Sequence, residues 1–329
     1  METQLRTKPG QKSRRTGIRT SQRRPPGSVL KPTIVKQILA TTDFSAGSKN
    51  ALTYAAAMAK RLGSKVALLN VVEPPPRLAG LESVVIMQFG DAAVGRAYQL
   101  LDAVKEQIFE SSLRVRTHVR TGKPHLQIAK ASAELDAGLL IMATHGYSGW
   151  KHTLLGSTTE RVLRHAPCSV LVVRAKREQA KSNLDFPRIL FATDLSDACP
   201  EALSLVQMLA AHFGSTVSLM HVIERFPISS MMPKSTTRST AAALSKRADA
   251  LLTDLSRALQ HRQISVNSLV KFGTPYVEIT KAAKTLDASL VVVGTHGNTG
   301  LKRIYLGSVA ERVVRHAPCP VLVARERRP

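Results

Sequence analysis

The stretch 143–174, ATHGYSGWKHTLLGSTTERVLRHAPCSVLVVR, recurs at 294–325 as GTHGNTGLKRIYLGSVAERVVRHAPCPVLVAR, with 20 of 32 positions identical. The offset is 151 residues, and outward from this stretch it holds without a gap. It carries Thr42-Asp43 onto Thr193-Asp194, Gly63 onto Gly214, Val71 onto Val222, and Gly122-x-Pro124 onto Gly273-x-Pro275. Self-similarity at a fixed period with no insertion means two copies of one domain. The 329 residues therefore divide into a basic segment 1–32, a first domain 33–174, a polar linker 175–186 and a second domain 187–325.

Each copy alternates strand and helix. In the first, 37–41 is a short apolar strand, and 48–62 is a helix closed by Gly63. Residues 65–72 form an aliphatic strand, and after Pro74-Pro75-Pro76 a helix spans 94–110. The counterpart helix, 241–259, sets Leu244, Ala248, Leu251, Leu252, Leu255 and Leu259 on one face. A strand at 114–119 precedes a helix that opens at Pro124, where the missing N–H does no harm. Strand 139–143, helix 157–165 and strand 169–173 complete the copy. Uninterrupted apolar strands separated by helices predict a parallel sheet covered on both faces. With five strands per copy, the expected fold is two tandem flavodoxin-like α/β domains of strand order 3-2-1-4-5. In such sheets ligands bind beyond the carboxyl ends of the strands, where the order reverses, here between strands 1 and 4.

The polar signals converge on that point. Strand 290–293 runs into Gly294-Thr295-His296-Gly297, and after nine further residues Gly307-Ser308 open a helix. Glycine at a strand exit lets a ligand approach the backbone. A helix N-terminus offers amides and a positive dipole end to an anion such as phosphate. Asp194, at the end of strand 1, supplies an acceptor for ribose hydroxyls, an adenine amine or a divalent ion. Gly-x-x-Gly alone is what any tight loop shows, and neither the Walker nor the dinucleotide glycine spacing occurs. The combination carries the reading.

The pattern Gly294-x2-Gly297-x9-Gly307-Ser308, with Thr193-Asp194-x-Ser196 early and Arg315-His316-Ala317-Pro318-Cys319-Pro320-Val321 late, resembles the universal stress protein family over nearly all of 33–325. The resemblance implies an adenine-nucleotide-binding fold of the adenine nucleotide alpha hydrolase-like type, pairing through the last strand, and a regulatory role in stress survival. It implies that Thr193 and Asp194 touch the nucleoside and that Val222 offers backbone to the adenine. Gly294, Thr295, His296, Gly297, Gly307 and Ser308 would then cradle ribose and phosphates of ATP, ADP or AMP, with Mg or Mn bound through the phosphates. The first copy matches at Thr42, Asp43, Val71, Gly146, Gly156 and Ser157 but has Ala143 in place of the first glycine. A methyl group at a close backbone approach costs on the order of 1–3 kcal/mol, roughly tenfold to a hundredfold in affinity. The second domain is the expected stronger site.

The remaining candidates have plainer readings. His145 and His296 suit backbone donors in a glycine loop, and His165 and His316 suit helix C-termini. Cys168, Cys199 and Cys319 have no adjacent base and read as small hydrophobes. Glu160–Arg164 and Glu311–Arg315 have the spacing of helical i,i+4 pairs. There is no Ser-His-Asp set, metal-ligand cluster or carboxylate pair, so a binding module is expected rather than an enzyme, with any ATP hydrolysis slow and incidental.

Composition bounds the alternatives. Apolar residues are 43% and charged residues 21%, enough for ordinary cores. Three cysteines without Cys-x-x-Cys, and no apolar run long enough to span a bilayer, favour a cytoplasmic protein. Lys+Arg is 47 against Asp+Glu 23, and residues 1–32 hold nine basic residues and one acidic. That segment lacks apolar periodicity and is expected to be disordered. It lacks the apolar core of a signal peptide; it is Arg-rich and acid-poor, as organellar transit peptides are, though these are also amphipathic. Its charge fits nucleic acid or anionic lipid, bound by counterion release without sequence specificity. Aromatics, at 4%, argue against a base-stacking platform. Intramolecular pairing of the copies is expected, and a homodimer through other surfaces is left open.

Overall fold

The computed structural model describes residues 33–74, 83–144, 155–174, 185–196, 199–224, 234–295 and 306–325. The basic segment, most of the linker, and the loop residues His145, Gly146, His296 and Gly297 lie outside them. The first copy runs β1 (Gln37–Thr41), α1 (Ala46–Leu62), β2 (Lys65–Val72), α2 (Ser83–Ile108), β3 (Val115–Thr121), α3 (Pro124–Glu134), β4 (Leu139–Ala143), α4 (Ser157–His165) and β5 (Ser169–Val173). The second runs β6 (Arg188–Ala192), α5 (Cys199–Phe213), β7 (Thr216–Ile223), α6 (Lys234–Gln260), β8 (Val266–Phe272), α7 (Pro275–Thr285), β9 (Leu290–Gly294), α8 (Ser308–His316) and β10 (Val321–Ala324).

Local chemistry sets most of these boundaries. Ser45 caps α1, its hydroxyl accepting from the Ser48 N–H at 3.2 Å. Gly63 ends the helix at φ 65°, a conformation that favours glycine, and donates to the Ala59 carbonyl. Pro124 and Pro275 open α3 and α7. Two helices extend further back than their apolar stripes predict, α2 to Ser83 and α6 to Lys234. The added turns escape periodicity because Val84-Val85-Ile86-Met87 is continuously apolar and Ser235-Thr236-Thr237-Arg238 continuously polar. β3 likewise runs 115–121 rather than 114–119.

The strands form one ten-stranded sheet, β3-β2-β1-β4-β5-β10-β9-β6-β7-β8, so each half has the order 3-2-1-4-5. Pairing within each half is parallel. The halves meet antiparallel, with Val172 opposite Val321, Leu171 opposite Leu322 and Val170 opposite Val323. Because sheet and core continue across this join, each face carries one apolar layer shared by both domains. One lies under α1, α2, α5 and α6, the other under α3, α4, α7 and α8.

The seam is fastened on both faces. On one, Phe186, buried to 1% exposure, stacks on Tyr54 of α1 at 6.0 Å and meets Phe213 of α5 edge-on at 5.0 Å. Beside it Arg61 pairs with Asp185 at 3.0 Å. On the other, α4 and α8 exchange ions. Arg164 contacts Glu160 at 2.7 Å and Glu311 at 3.6 Å; Arg315 contacts Glu311 at 2.8 Å and Glu160 at 3.2 Å. The two intrahelical pairs read from the sequence are thus halves of one four-residue ring. Its side chains keep 23–35% exposure, so neighbours screen the charges only in part. Two further arginines related by the 151-residue offset cross the seam. Arg174 donates to the Arg315 carbonyl, and Arg325 donates to the Leu163 carbonyl at 2.8 Å. Each thereby places positive charge at the C-terminal turn of the other domain's helix.

Candidate functional site

In both copies the first strand ends in a tight polar turn. Thr42 Oγ1 accepts from the Phe44 N–H at 2.9 Å, and Asp43 Oδ1 accepts from the Ser45 N–H at 3.1 Å and the Ser45 hydroxyl at 2.6 Å. Thr193 Oγ1 accepts from Leu195 N–H at 3.0 Å, and Asp194 Oδ1 from Ser196 N–H at 3.2 Å. Between them Phe44 and Leu195 sit at φ 65° and 60°, a left-handed conformation uncommon for bulky residues. The same strained residue at the same place twice shows that these hydrogen bonds hold the turn in one shape, with the carboxylate at the strand mouth.

The second strand of each copy overruns the first. β1 pairs with β2 only as far as Thr41 opposite Leu69, and the Thr42 N–H donates to the Leu69 carbonyl at 3.0 Å. Backbone groups alternate sides along a strand, so Val71 turns its N–H and C=O to the β1 side just past the point where β1 has ended. β7 repeats this, with Thr193 N–H on the Met220 carbonyl at 2.9 Å and Val222 two residues beyond. Such a backbone edge offers one donor and one acceptor to a flat heterocycle, the role expected for Val71 and Val222.

A polar residue inside each of these aliphatic strands latches the turn. Asn70 donates its amide to the Thr42 carbonyl at 2.8 Å, and His221 Nδ1 lies 2.8 Å from the Thr193 carbonyl. A carbonyl can only accept, so Nδ1 carries the proton and Nε2 of a neutral ring is left as acceptor. Sequence reasoning passed over both, although a lone polar side chain in an apolar strand was the available signal.

Opposite the turn, α4 and α8 present their N-termini. Gly156 N–H donates to the Thr144 carbonyl at 2.9 Å and Gly307 N–H to the Thr295 carbonyl at 2.8 Å, pinning each helix start to the strand exit. A Cβ at Gly307 would lie 3.1 Å from that carbonyl, so the close approach favours glycine. The following amides, of Ser157 and Thr158 or of Ser308 and Val309, have no acceptor inside their helices, as at any helix N-terminus. Here the copies separate. Thr159 Oγ1 donates to the Ala143 carbonyl at 2.9 Å, whereas Gly294 and Ala310 occupy the same places in the second copy.

The topology therefore sets Thr193, Asp194, Val222, Gly294, Thr295, Gly307 and Ser308 at the carboxyl-terminal ends of the strands around the reversal of order between β6 and β9, and Thr42, Asp43, Val71, Gly156 and Ser157 at the equivalent place around β1 and β4. Among the described residues no group of three His, Cys, Asp or Glu is placed to hold a metal. Cys168 is buried and Cys319 half-buried. No described helix is long and apolar enough to cross a membrane.

The model of the Universal stress protein family matches the chain twice, at 35–174 and 185–325. A universal stress protein of Methanocaldococcus jannaschii is 31% identical over 141 residues, which cover 43% of this chain and 83% of that relative. The crystal structure of a universal stress protein from Archaeoglobus fulgidus shares the fold at a TM-score of 0.62 and 23% identity, over 88% of this chain and 96% of that one. A protein of Pseudomonas aeruginosa described as functionally unknown shares it at 0.57 and 21%, over 88% and 92%.

Proposed function

The chain belongs to the universal stress protein family, and from that premise we propose that it binds an adenine nucleotide, ATP or its products, as a regulatory module in stress survival rather than as a metabolic enzyme. One observation carries the reading. At the strand-order switch of the second domain, a carboxylate (Asp194), an open backbone edge (Val222) and a helix N-terminus pinned through Gly307 to the strand exit all lie at the carboxyl-terminal ends of neighbouring strands.

The three parts suit the three parts of a nucleotide. The Val222 backbone edge fits the adenine, the Asp194 carboxylate accepts from ribose hydroxyls, and the Gly307-Ser308 amides receive phosphate oxygens. A bound triphosphate supplies the negative charge those amides favour; magnesium or manganese would come with it, since the described residues form no metal cluster of their own. Among the described residues no side chain is identified as an activated nucleophile at this place, and hydrolysis is expected to be slow and incidental. Binding energy is then available to shift a conformation or the affinity for a partner.

Mass spectrometry of small molecules released from the purified, denatured protein tests this directly. About one adenine nucleotide per chain is expected, held by the second domain. In calorimetric titration, Asp194→Ala should weaken ATP about tenfold to a hundredfold, the range of a lost charge-assisted hydrogen bond. Asp43→Ala should change it little. No released nucleotide together with a flat titration would remove the reading.

A further inference from the structure

The outer edge of the sheet in the first domain carries a row of positive charge that the second domain lacks. β3 is an edge strand, and residues 114, 116, 118 and 120 alternate along it, so Arg114, Arg116, His118 and Arg120 share one face. Val115 and Val119 pack into the core layer beneath α2, which puts the basic residues on the α3 side. Lys65 of β2 stands beside Arg114, since Val66 is in register with Val115 and donates to the Arg114 carbonyl at 2.9 Å. Lys65, Arg114 and Arg116 are exposed. Neighbours in the row are about 7 Å apart along the strand and about 5 Å across strands.

The surrounding acids are largely occupied. Glu134 is held by Arg120, and Glu110 by Lys60 at 2.7 Å. Asp136, in the turn before β4, lies at the same end of the sheet. His118 registers the resulting field. Burial first, then the like charges of Arg120 and Arg116, push its pKa below the ordinary histidine value.

Charged residues commonly line an edge strand to keep it from pairing with another chain. That accounts poorly for this row, because β8 is equally an edge. The offset of 151 turns Lys65, Arg114, Arg116, His118 and Arg120 into Thr216, Ser265, Asn267, Leu269 and Lys271. The row also lies where the chain enters the fold. Lys36, just before β1, accepts from Lys65 N–H at 2.9 Å, and the segment 1–32 with its nine basic residues joins at residue 33.

We propose that this face of the first domain binds the phosphate backbone of a nucleic-acid duplex, without base specificity and independently of the nucleotide crevice. Arginine forks fit phosphate oxygens, and their regular spacing on a rigid strand fixes several contacts at once. The row holds no aromatic side chain to stack a base and no apolar side chain to enter a bilayer, which favours a duplex over a single strand or a membrane.

Fluorescence anisotropy of a labelled DNA duplex with the full chain, titrated across salt concentrations, tests the proposal. Lys65→Thr/Arg114→Ser/Arg116→Asn installs the residues of the second domain at equivalent places. Loss of three phosphate contacts should make the slope of log affinity against log salt shallower by about 3, and weaken binding at least tenfold near 0.1 M salt. If the triple variant unfolds early in circular dichroism, the exposed single change Arg116→Asn should still lower the slope by about 1. A triple variant with the wild-type slope, beside an Arg14→Gln/Arg15→Gln/Arg23→Gln/Arg24→Gln chain that loses binding, would assign the contact to the segment 1–32 and overturn the proposal. Duplex binding unchanged in the triple variant while its binding to phosphatidylserine vesicles is lost would overturn it in favour of a lipid surface.

Discussion

The strand leading into the first crevice ends in Ala143, whose carbonyl is bound by Thr159; the strand leading into the second ends in Gly294, with Ala310 across from it. The latch in the first copy is the amide Asn70, and in the second it is the imidazole His221. At the far edge the direction reverses, and the first copy carries the basic row while the second carries Ser265, Asn267 and Leu269. The strained turn, the overrunning strand and the pinned helix start are common to both. Backbone geometry is thus kept in duplicate, while the side chains that brace it are partly exchanged. The differences gather at surfaces a second molecule would touch, one methyl group at the crevice and a set of charges at the edge.

The largest contrast expected between the copies lies at the seam. Phe186 and Val35 occupy equivalent places, both buried, but Phe186 fills the space between α1 and α5. Urea denaturation should show Phe186→Ala losing about 3–5 kcal/mol against about 2 kcal/mol for Val35→Ala; equal losses would break this part of the comparison. Next comes the crevice. Ala143→Gly should bring a second bound nucleotide per chain, a gain of roughly tenfold or more at that site in calorimetry. An unchanged stoichiometry would shift the handicap to the Thr159 bond.

Glu160→Gln and Glu311→Gln should each cost about 1 kcal/mol in the same denaturation experiment, as partly exposed ion pairs do. Unequal costs would show that the ring is not shared evenly. The smallest effect concerns His118. Its pKa in the fold lies below the ordinary value of 6.5, so protons bind the unfolded chain more tightly. The stability it contributes is present above about pH 6.5 and is lost as pH falls through the folded value. His118→Leu, which copies Leu269, should flatten that acid limb of thermal stability.

Much of this was legible beforehand. The 151-residue offset, the strands around β1, β4 and β5, the strand order and the pairing of last strand with last strand follow from pattern and from the family resemblance. The early turns of α2 and α6 were not, because a helix announces itself through one apolar face and neither 84–87 nor 235–238 has one. The ion ring was half legible. Glu160–Arg164 has the same spacing whether it acts alone or shares charge with its copy, and only the meeting of α4 and α8 decides. Phe44 and Leu195 gave no sign of a left-handed backbone, since the hydrogen bonds of their neighbours impose it. Asn70 and His221 did give a sign, in breaking an aliphatic strand.

The antiparallel contact of β5 with β10 joins two links of one polypeptide. Its formation is therefore a first-order event. Dilution does not pull the halves apart, and the melting temperature of this contact should not vary with protein concentration, as it would for separate subunits. A two-fold pair of identical chains must also carry every substitution twice. Here a change on one side leaves the other as it was, so a single molecule can hold an alanine at one strand exit opposite a glycine at the other, and a rim of four basic residues and a histidine opposite one with a single lysine.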